Sequence, residues 1–270
     1  MTLFCKREGT FSKQEEYFCH KSIRGVETLD RLSIENRLIV PMDVADFRQA
    51  EQLFEQVGRK ARFFKVGYEL FYGSGAKAVE LAKSKGARVF LDLKLHDIPN
   101  TVAKAVEQLM NLGVDMLTLH ISGGGPMLNA AREAAEKRSA QLGIARPLLL
   151  GVTVLTSIGE EDLRQDGIQL GLEELVIRRA LFAQAHGIDG VICSPLEAAS
   201  IKKMSGGGLV TVTPGIRLSD AHGDQKRVTT PADAMRNGSD FIVVGRPIYA
   251  AANPSLAFDE VIQNMKEGLV

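Results

Sequence analysis

Eight short apolar runs, each followed by a stretch with helical periodicity, constrain the fold of this chain more than any other sequence feature. The runs lack the strict alternation of half-buried strands, which is typical of parallel strands covered by helices. After the first run, Ala50, Phe54 and Val57 recur at helical spacing and predict an amphipathic helix. The apolar runs span residues 37–43, 62–66, 88–94, 115–120, 147–155, 190–194, 209–213 and 240–244.

This alternation of strands and helices predicts an α/β fold, a (β/α)8 TIM barrel that forms a single catalytic domain over residues 37–270. An open doubly wound sheet is the alternative, but it would usually have fewer strands and a glycine-rich first turn. The turn after the first run, residues 43–46, contains no glycine. Residues 1–36 lie outside the repeating pattern and are interpreted as an N-terminal extension.

Composition excludes several classes of partner. The 270 residues carry no formal net charge and contain no Lys/Arg-rich block, which argues against a nucleic acid partner. No apolar run approaches the roughly 20 residues that span a bilayer, so no membrane partner is expected. Cys5, Cys19 and Cys193 fit no zinc, haem or redox spacing, and a reduced cytoplasmic location is therefore predicted.

The third apolar run ends in charged residues. Asp92 and Lys94 stand two positions apart at its end, and residues at this spacing on a strand point to the same face. Asp97 follows in the next loop. Buried charges cost several kcal/mol each unless they are paired, so a chemical role is predicted. A structural ion pair at a strand end is the alternative interpretation.

Polar residues stand in or directly after the carboxyl ends of most of the predicted strands, at the end of a barrel where catalytic residues lie. Because the strand interiors are apolar, this asymmetry predicts a polar active site at the carboxyl ends of the strands. For any one of these residues, a surface ion pair is the simpler explanation. The residues are Asp43, Lys65, Asp92, Lys94, His120, Thr156, Arg217 and Arg246.

The last two strands are each followed by a glycine and an arginine. Residues 213–217 read Thr-Pro-Gly-Ile-Arg, and residues 245–248 read Gly-Arg-Pro-Ile. Glycines allow backbone N–H groups to approach an anion closely, and arginine binds phosphate in bidentate fashion. Because the loops after strands seven and eight often bind phosphate in such barrels, a phosphate site is predicted there. Two ordinary turns with solvated arginines are the alternative.

The histidines suggest no metal site. His96 lies in the charged loop but has no carboxylate partners at metal-ligand spacing. His120 precedes a glycine-rich turn and fits either a pocket wall or a hydrogen-bonded structural histidine.

Several of these motifs together resemble one enzyme family. The run Asp-Leu-Lys-Leu-His-Asp-Ile-Pro-Asn-Thr at 92–101 closely resembles the signature of the orotidine 5'-phosphate decarboxylases. The segment containing Thr156, the turn before Arg217 and the Gly245-Arg246 turn resemble the same family in the same order. The resemblance covers residue 37 to about residue 265.

The resemblance implies the last step of pyrimidine nucleotide synthesis, in which orotidine monophosphate becomes uridine monophosphate and carbon dioxide. It also implies an enzyme without metal or organic cofactor that works as a homodimer. Lys65, Asp92, Lys94 and Asp97 would form the catalytic charged array, with Lys94 as the proton donor. Asp97 and Thr101 would complete the active site of the partner subunit.

The remaining implied roles concern substrate binding. Asp43 and Lys65 would bind the ribose hydroxyls, and Asp92 would face the substrate carboxylate. Phosphate would be held by arginine, amide and backbone groups of the last two loops. The substrate-binding set implied by the resemblance is Asp43, Lys65, Asp92, Thr101, Thr156, Pro214, Arg217, Gln225, Gly245 and Arg246.

Two functional alternatives stay open. A sugar-phosphate enzyme of the same superfamily would share the Asp-x-Lys-x-x-Asp pattern but would use magnesium. A catalytically silent barrel could bind a nucleotide, although binding alone does not require a buried lysine between two acids.

Overall fold

Eight parallel strands form a closed barrel in the computed structural model, which describes residues 33–218 and 228–269. Each strand pairs with the next in the sequence, and the last pairs with the first. The predicted TIM barrel is therefore confirmed, and the open sheet was wrong. The strands are β1 (Leu38–Pro41), β2 (Phe63–Val66), β3 (Arg88–Leu95), β4 (Met116–His120), β5 (Leu148–Val152), β6 (Gly190–Ile192), β7 (Val210–Thr213) and β8 (Phe241–Val243).

Helices connect the strands and cover the outside of the barrel. Several begin with a proline in their first turn, where the missing N–H group has no intrahelical partner to lose. The α-helices are α1 (Phe47–Val57), α2 (Tyr68–Ser74), α3 (Lys77–Ser84), α4 (Pro99–Leu109), α5 (Gly125–Leu142), α6 (Glu160–Gln165), α7 (Leu172–Ala185), α8 (Ala198–Met204), α9 (Pro231–Arg236), α10 (Arg246–Tyr249) and α11 (Pro254–Glu267).

Short 3-10 helices supplement these elements at Ile34–Arg37, Met110–Leu112 and Ile121–Gly123. The first of them leads into β1, and the guanidinium of Arg37 donates to the carbonyl oxygens of Ser239 and Asp240 at 2.9 Å each. Most of the predicted extension, residues 1–32, lies outside the described residues, so the domain boundary at residue 36 stays a prediction.

The strands separate two layers of apolar side chains. Val89 and Leu91 of β3 belong to the large core between barrel and helices. Side chains of the opposite parity point into the barrel, where the rings of Phe63 and Phe241 meet edge to face at 5.9 Å. These rings fill the barrel interior near the amino ends of the strands, so polar side chains nearer the carboxyl ends lie above an apolar layer. None of the described helices is both long and apolar enough to cross a membrane.

Candidate active site

A cavity of about 340 Å³ opens at the carboxyl ends of the strands. It is lined by side chains from several strands and the loops that follow them, as the sequence predicts for a barrel active site. Nine residues from the predicted site meet here, namely Asp43, Lys65, Asp92, Lys94, Thr156, Pro214, Arg217, Gly245 and Arg246.

Four of these residues, from the loop after β1 and from β2 and β3, form a chain of alternating charges. The Nζ atom of Lys65 lies 2.8 Å from Oδ1 of Asp43 and 3.6 Å from Oδ2 of Asp92. The Nζ atom of Lys94 donates to the same Asp92 oxygen at 2.9 Å. Asp92 therefore sits between two ammonium groups, and Lys65 sits between two carboxylates. We call Asp43, Lys65, Asp92 and Lys94 the charge chain.

Mutual attraction keeps the central members of the charge chain ionised despite their burial. Burial alone would lower the pKa of Lys65, but the carboxylates of Asp92 and Asp43 outweigh it and raise that pKa above its usual value. Burial would raise the pKa of Asp92, but the ammonium groups of Lys65 and Lys94 and hydrogen bonds from Lys94 and Thr118 lower it. Both groups therefore carry charge at neutral pH.

A bulge in β3 places Lys94. Leu91 is in register with Leu117 of β4, whereas Leu95 is in register with Leu119. Three residues of β3 therefore face one residue of β4, and the backbone at Lys94 adopts a φ angle of 40°. Lys94 is the one non-glycine residue with positive φ within residues 33–218 and 228–269. Backbone strain of this kind is a common feature of active sites.

The loops after β7 and β8 form the opposite wall of the cavity. Gly215 has a φ angle of 84°, which a residue with a side chain rarely adopts. A Cβ atom at Gly245 would stand 3.2 Å from Pro41 and from Tyr249, so glycine permits the close approach of these groups. The backbone N–H of Arg217 donates to the carbonyl of Thr229 at 2.9 Å, which fixes the turn that carries this arginine.

Two predicted site residues, Asp97 and Thr101, do not line this cavity. They lie on a neighbouring concave surface with His96, His120 and Tyr68. Asp97 is exposed, and its Oδ1 accepts a hydrogen bond from the N–H of Ile98 at 2.6 Å. His120, predicted among the residues at the strand ends, also faces this second surface, where burial lowers its pKa. Gln225 lies outside the described residues.

Sequence reasoning missed three residues at the site. Thr118 is fully buried in β4 and hydrogen-bonds Asp92, but a single threonine in an apolar run carries no signal. The ring of Tyr68 lies 5.6 Å from Nζ of Lys94 and stacks on Tyr72. Tyr249 lines the cavity beside Arg246. The two tyrosines of α2 at spacing i, i+4 were visible in the sequence as a possible aromatic pair.

The side chains of residues 33–218 and 228–269 form no metal centre. Within them, no group of three or more His, Cys, Asp or Glu side chains could hold a metal ion.

Comparison with known proteins identifies the family. The family model described as Orotidine 5'-phosphate decarboxylase / HUMPS family matches residues 36–261. The orotidine 5'-phosphate decarboxylase of Carboxydothermus hydrogenoformans is 47% identical over 234 residues, which cover 86% of this chain and 97% of that protein. The protein of the same name from Moorella thermoacetica is 45% identical over 234 residues, covering 86% of this chain and 93% of the relative.

Solved structures agree with this comparison. The crystal structure of orotidine 5'-phosphate decarboxylase from Lactobacillus acidophilus superposes with a TM-score of 0.76 at 36% identity. The superposition covers 85% of this chain and 99% of that one. The chain therefore belongs to the orotidine 5'-phosphate decarboxylase / HUMPS family.

Proposed function

We propose that this protein decarboxylates orotidine 5'-phosphate to uridine 5'-phosphate, the last step of pyrimidine nucleotide synthesis, without a metal or organic cofactor. The single observation that carries the proposal is the charge chain, which faces two glycine-arginine loops across one cavity. The relatives in the same family with that printed name, at 45–47% identity, support it.

Phosphate binding is assigned to the loops after β7 and β8. Arg217 and Arg246 supply guanidinium groups, and the backbone at Gly245 and Gly215 can approach an anion closely. Gln225, which lies outside the described residues, is assigned to the same phosphate because of the family resemblance.

The rest of the nucleotide occupies the cavity between the loops after β7 and β8 and the charge chain. Asp43, in the loop after β1, and Lys65 of β2 bind the ribose hydroxyls, and the two side chains hydrogen-bond to each other at 2.8 Å. Thr156 and Pro214 line the cavity and contact the substrate, with Thr156 near the pyrimidine. Binding energy from the remote phosphate can then be used to orient the ring over Lys94.

Lys94 is the proton donor in the proposed reaction. The bond between carbon 6 and the carboxyl carbon breaks, carbon dioxide leaves, and the electron pair stays on carbon 6. No adjacent carbonyl delocalises this pair well, so fixed positive charge must stabilise it. The Lys94 ammonium supplies that charge and then transfers its proton to carbon 6, after which solvent reprotonates the amine.

The Asp92 carboxylate repels the substrate carboxylate in the ground state. Its carboxylate is held in place by Lys65, Lys94 and Thr118, and the pKa of Asp92 is lowered, so it stays anionic. A substrate carboxylate placed next to it is repelled, and the repulsion disappears as carbon dioxide departs. The two neighbouring lysines keep this arrangement stable in the free enzyme.

Asp97 and Thr101 complete the active site of a partner subunit in a homodimer. Within their own chain both residues lie outside the cavity, on an exposed surface. The same surface carries large exposed apolar groups, with Tyr72 76% exposed and Ile98 66% exposed. Burial of such groups against a second copy would supply association energy at about 25 cal/mol per Å² of apolar surface.

Turnover of orotidine 5'-phosphate in excess EDTA tests the proposed function. Loss of the orotate absorbance at an undiminished rate, with stoichiometric uridine monophosphate, is the expected result. Activity on a hexulose phosphate that requires added magnesium would move the protein to a sugar-phosphate reaction. Tight binding of uridine monophosphate without turnover would indicate a nucleotide-binding barrel.

A further inference from the structure

Thr118 links the two central groups of the charge chain. This side chain is fully buried in β4. Its Oγ1 atom donates a hydrogen bond to Oδ1 of Asp92 at 2.9 Å. The same oxygen accepts a hydrogen bond from the backbone N–H of Lys94 at 2.8 Å. One hydroxyl therefore contacts both a carboxylate and the backbone of the lysine that pairs with it.

The bulge in β3 explains why this contact is needed. Three residues of β3, Asp92 to Lys94, stand opposite Thr118 alone between the two registered pairs of the strands. The regular ladder is interrupted there, and the Lys94 amide donates to a side chain in place of a neighbouring carbonyl. An amide inside the barrel wall without a hydrogen-bond partner destabilises the fold, so the hydroxyl also offsets a cost of the bulge.

The two oxygens of Asp92 have separate partners. Oδ1 accepts from Thr118, whereas Oδ2 accepts from Lys94 at 2.9 Å and lies 3.6 Å from Nζ of Lys65. Rotation of the carboxylate would break at least one of these contacts. Thr118 therefore fixes which oxygen faces the lysines.

We infer that Thr118 is a positioning residue for the proposed decarboxylation, holding the Asp92 carboxylate and the strained Lys94 backbone in one fixed relation. The inference rests on the proposed function. It assigns Thr118 no contact with substrate, because this residue does not line the cavity.

Thr118→Val tests the inference because it removes the hydroxyl and keeps the branched shape. We expect kcat to fall about 100-fold, as misplacement of a catalytic group by about 1 Å can do, with KM changed less than about threefold. Thr118→Ser retains the hydroxyl and should stay within about threefold of the wild-type kcat. Thr118→Ala, which also lacks the hydroxyl, serves as a second variant if the valine variant does not fold.

Thr211→Val is the matched control. Thr211 is also fully buried in a strand, and its Oγ1 accepts from the N–H of Asp240 and lies within hydrogen-bonding distance of the Asp240 carboxylate, both at 3.1 Å. These contacts lie at the start of β8, away from the cavity. A comparable loss of stability with an unchanged kcat is therefore expected. An equal loss of kcat in both valine variants would overturn the positioning role.

Hydrogen exchange at the Lys94 amide separates this inference from the proposed function, because it does not depend on turnover. Exchange should be about tenfold faster in Thr118→Val and unchanged in Thr118→Ser and Thr211→Val. Unchanged exchange together with a kcat within about threefold of wild type would overturn the inference. The wild-type protein could fail to turn over orotidine 5'-phosphate while Lys94 amide exchange still responds to the Thr118 variants as expected. That result would reject the proposed function but support the positioning of Lys94 by Thr118.

Discussion

The positive φ angle at Lys94 predicts an unusual response to glycine. For a residue with a side chain, the left-handed region costs roughly 1–2 kcal/mol, and glycine avoids this cost. Glycine also gains more conformational entropy on unfolding, which destabilises the folded state by roughly 0.5–1 kcal/mol relative to alanine. Lys94→Gly should therefore be more stable than Lys94→Ala by about 0.7 kcal/mol, although both variants lose the same ammonium group.

Chemical and thermal unfolding measure this difference. For a domain of this size, the expected difference in Tm between the two variants is about 2 °C in favour of glycine. Lys104 is the matched control, because it lies inside α4 with an exposed side chain. There Lys104→Gly should be about 1 kcal/mol less stable than Lys104→Ala. If glycine is the less stable variant at both positions, the strain assigned to Lys94 is refuted.

Three further predictions address the proposed site. Arg246→Ala should weaken binding of uridine monophosphate at least about tenfold because a charge-assisted hydrogen bond is lost; unchanged affinity by calorimetry would contradict the phosphate assignment. Mixed Lys94→Ala and Asp97→Ala subunits should recover about a quarter of wild-type activity after random exchange, since each heterodimer regains one site; verified heterodimers without activity would show that the sites are self-contained. The pKa of Asp92 is lowered on folding, so its stabilising contribution is present above an unfolded pKa of about 3.9 and is lost as the pH falls through the folded value. The difference in unfolding free energy between wild type and Asp92→Asn should therefore shrink on acidification, and a constant difference would argue against an ionised Asp92.

The barrel could be predicted because its strands are buried on both faces. Continuous apolar runs mark such strands, and each of the eight predicted runs coincides with one of the observed strands, although β3 continues one residue past its run to Leu95. The other seven runs extend a residue or more beyond the observed bounds of their strands. The fifth, predicted over 147–155, ends as a strand at Val152, since apolar residues also continue into the following loop. The gathering of polar residues at one end followed from parallel strand direction alone.

The details of the charge chain could not be predicted. The expectation that Asp92 and Lys94 share one face assumed a regular strand, whereas their side chains meet across a bulge that inverts the φ angle at Lys94. A bulge depends on the register between two strands, which no local pattern in β3 encodes. The role of Thr118 follows from the same register, because its hydroxyl faces the bulge only in the folded barrel.

The turnover of Lys94→Ala tests the central claim, that the charge chain performs the reaction through this lysine. We predict a kcat at least about 1,000-fold below wild type, because the variant lacks both the stabilising charge and the proton donor. Binding of uridine monophosphate should persist, since the phosphate-binding loops after β7 and β8 are unchanged. The control variant Lys104→Ala should retain full turnover. A folded Lys94→Ala variant with a kcat within about tenfold of wild type would contradict the account.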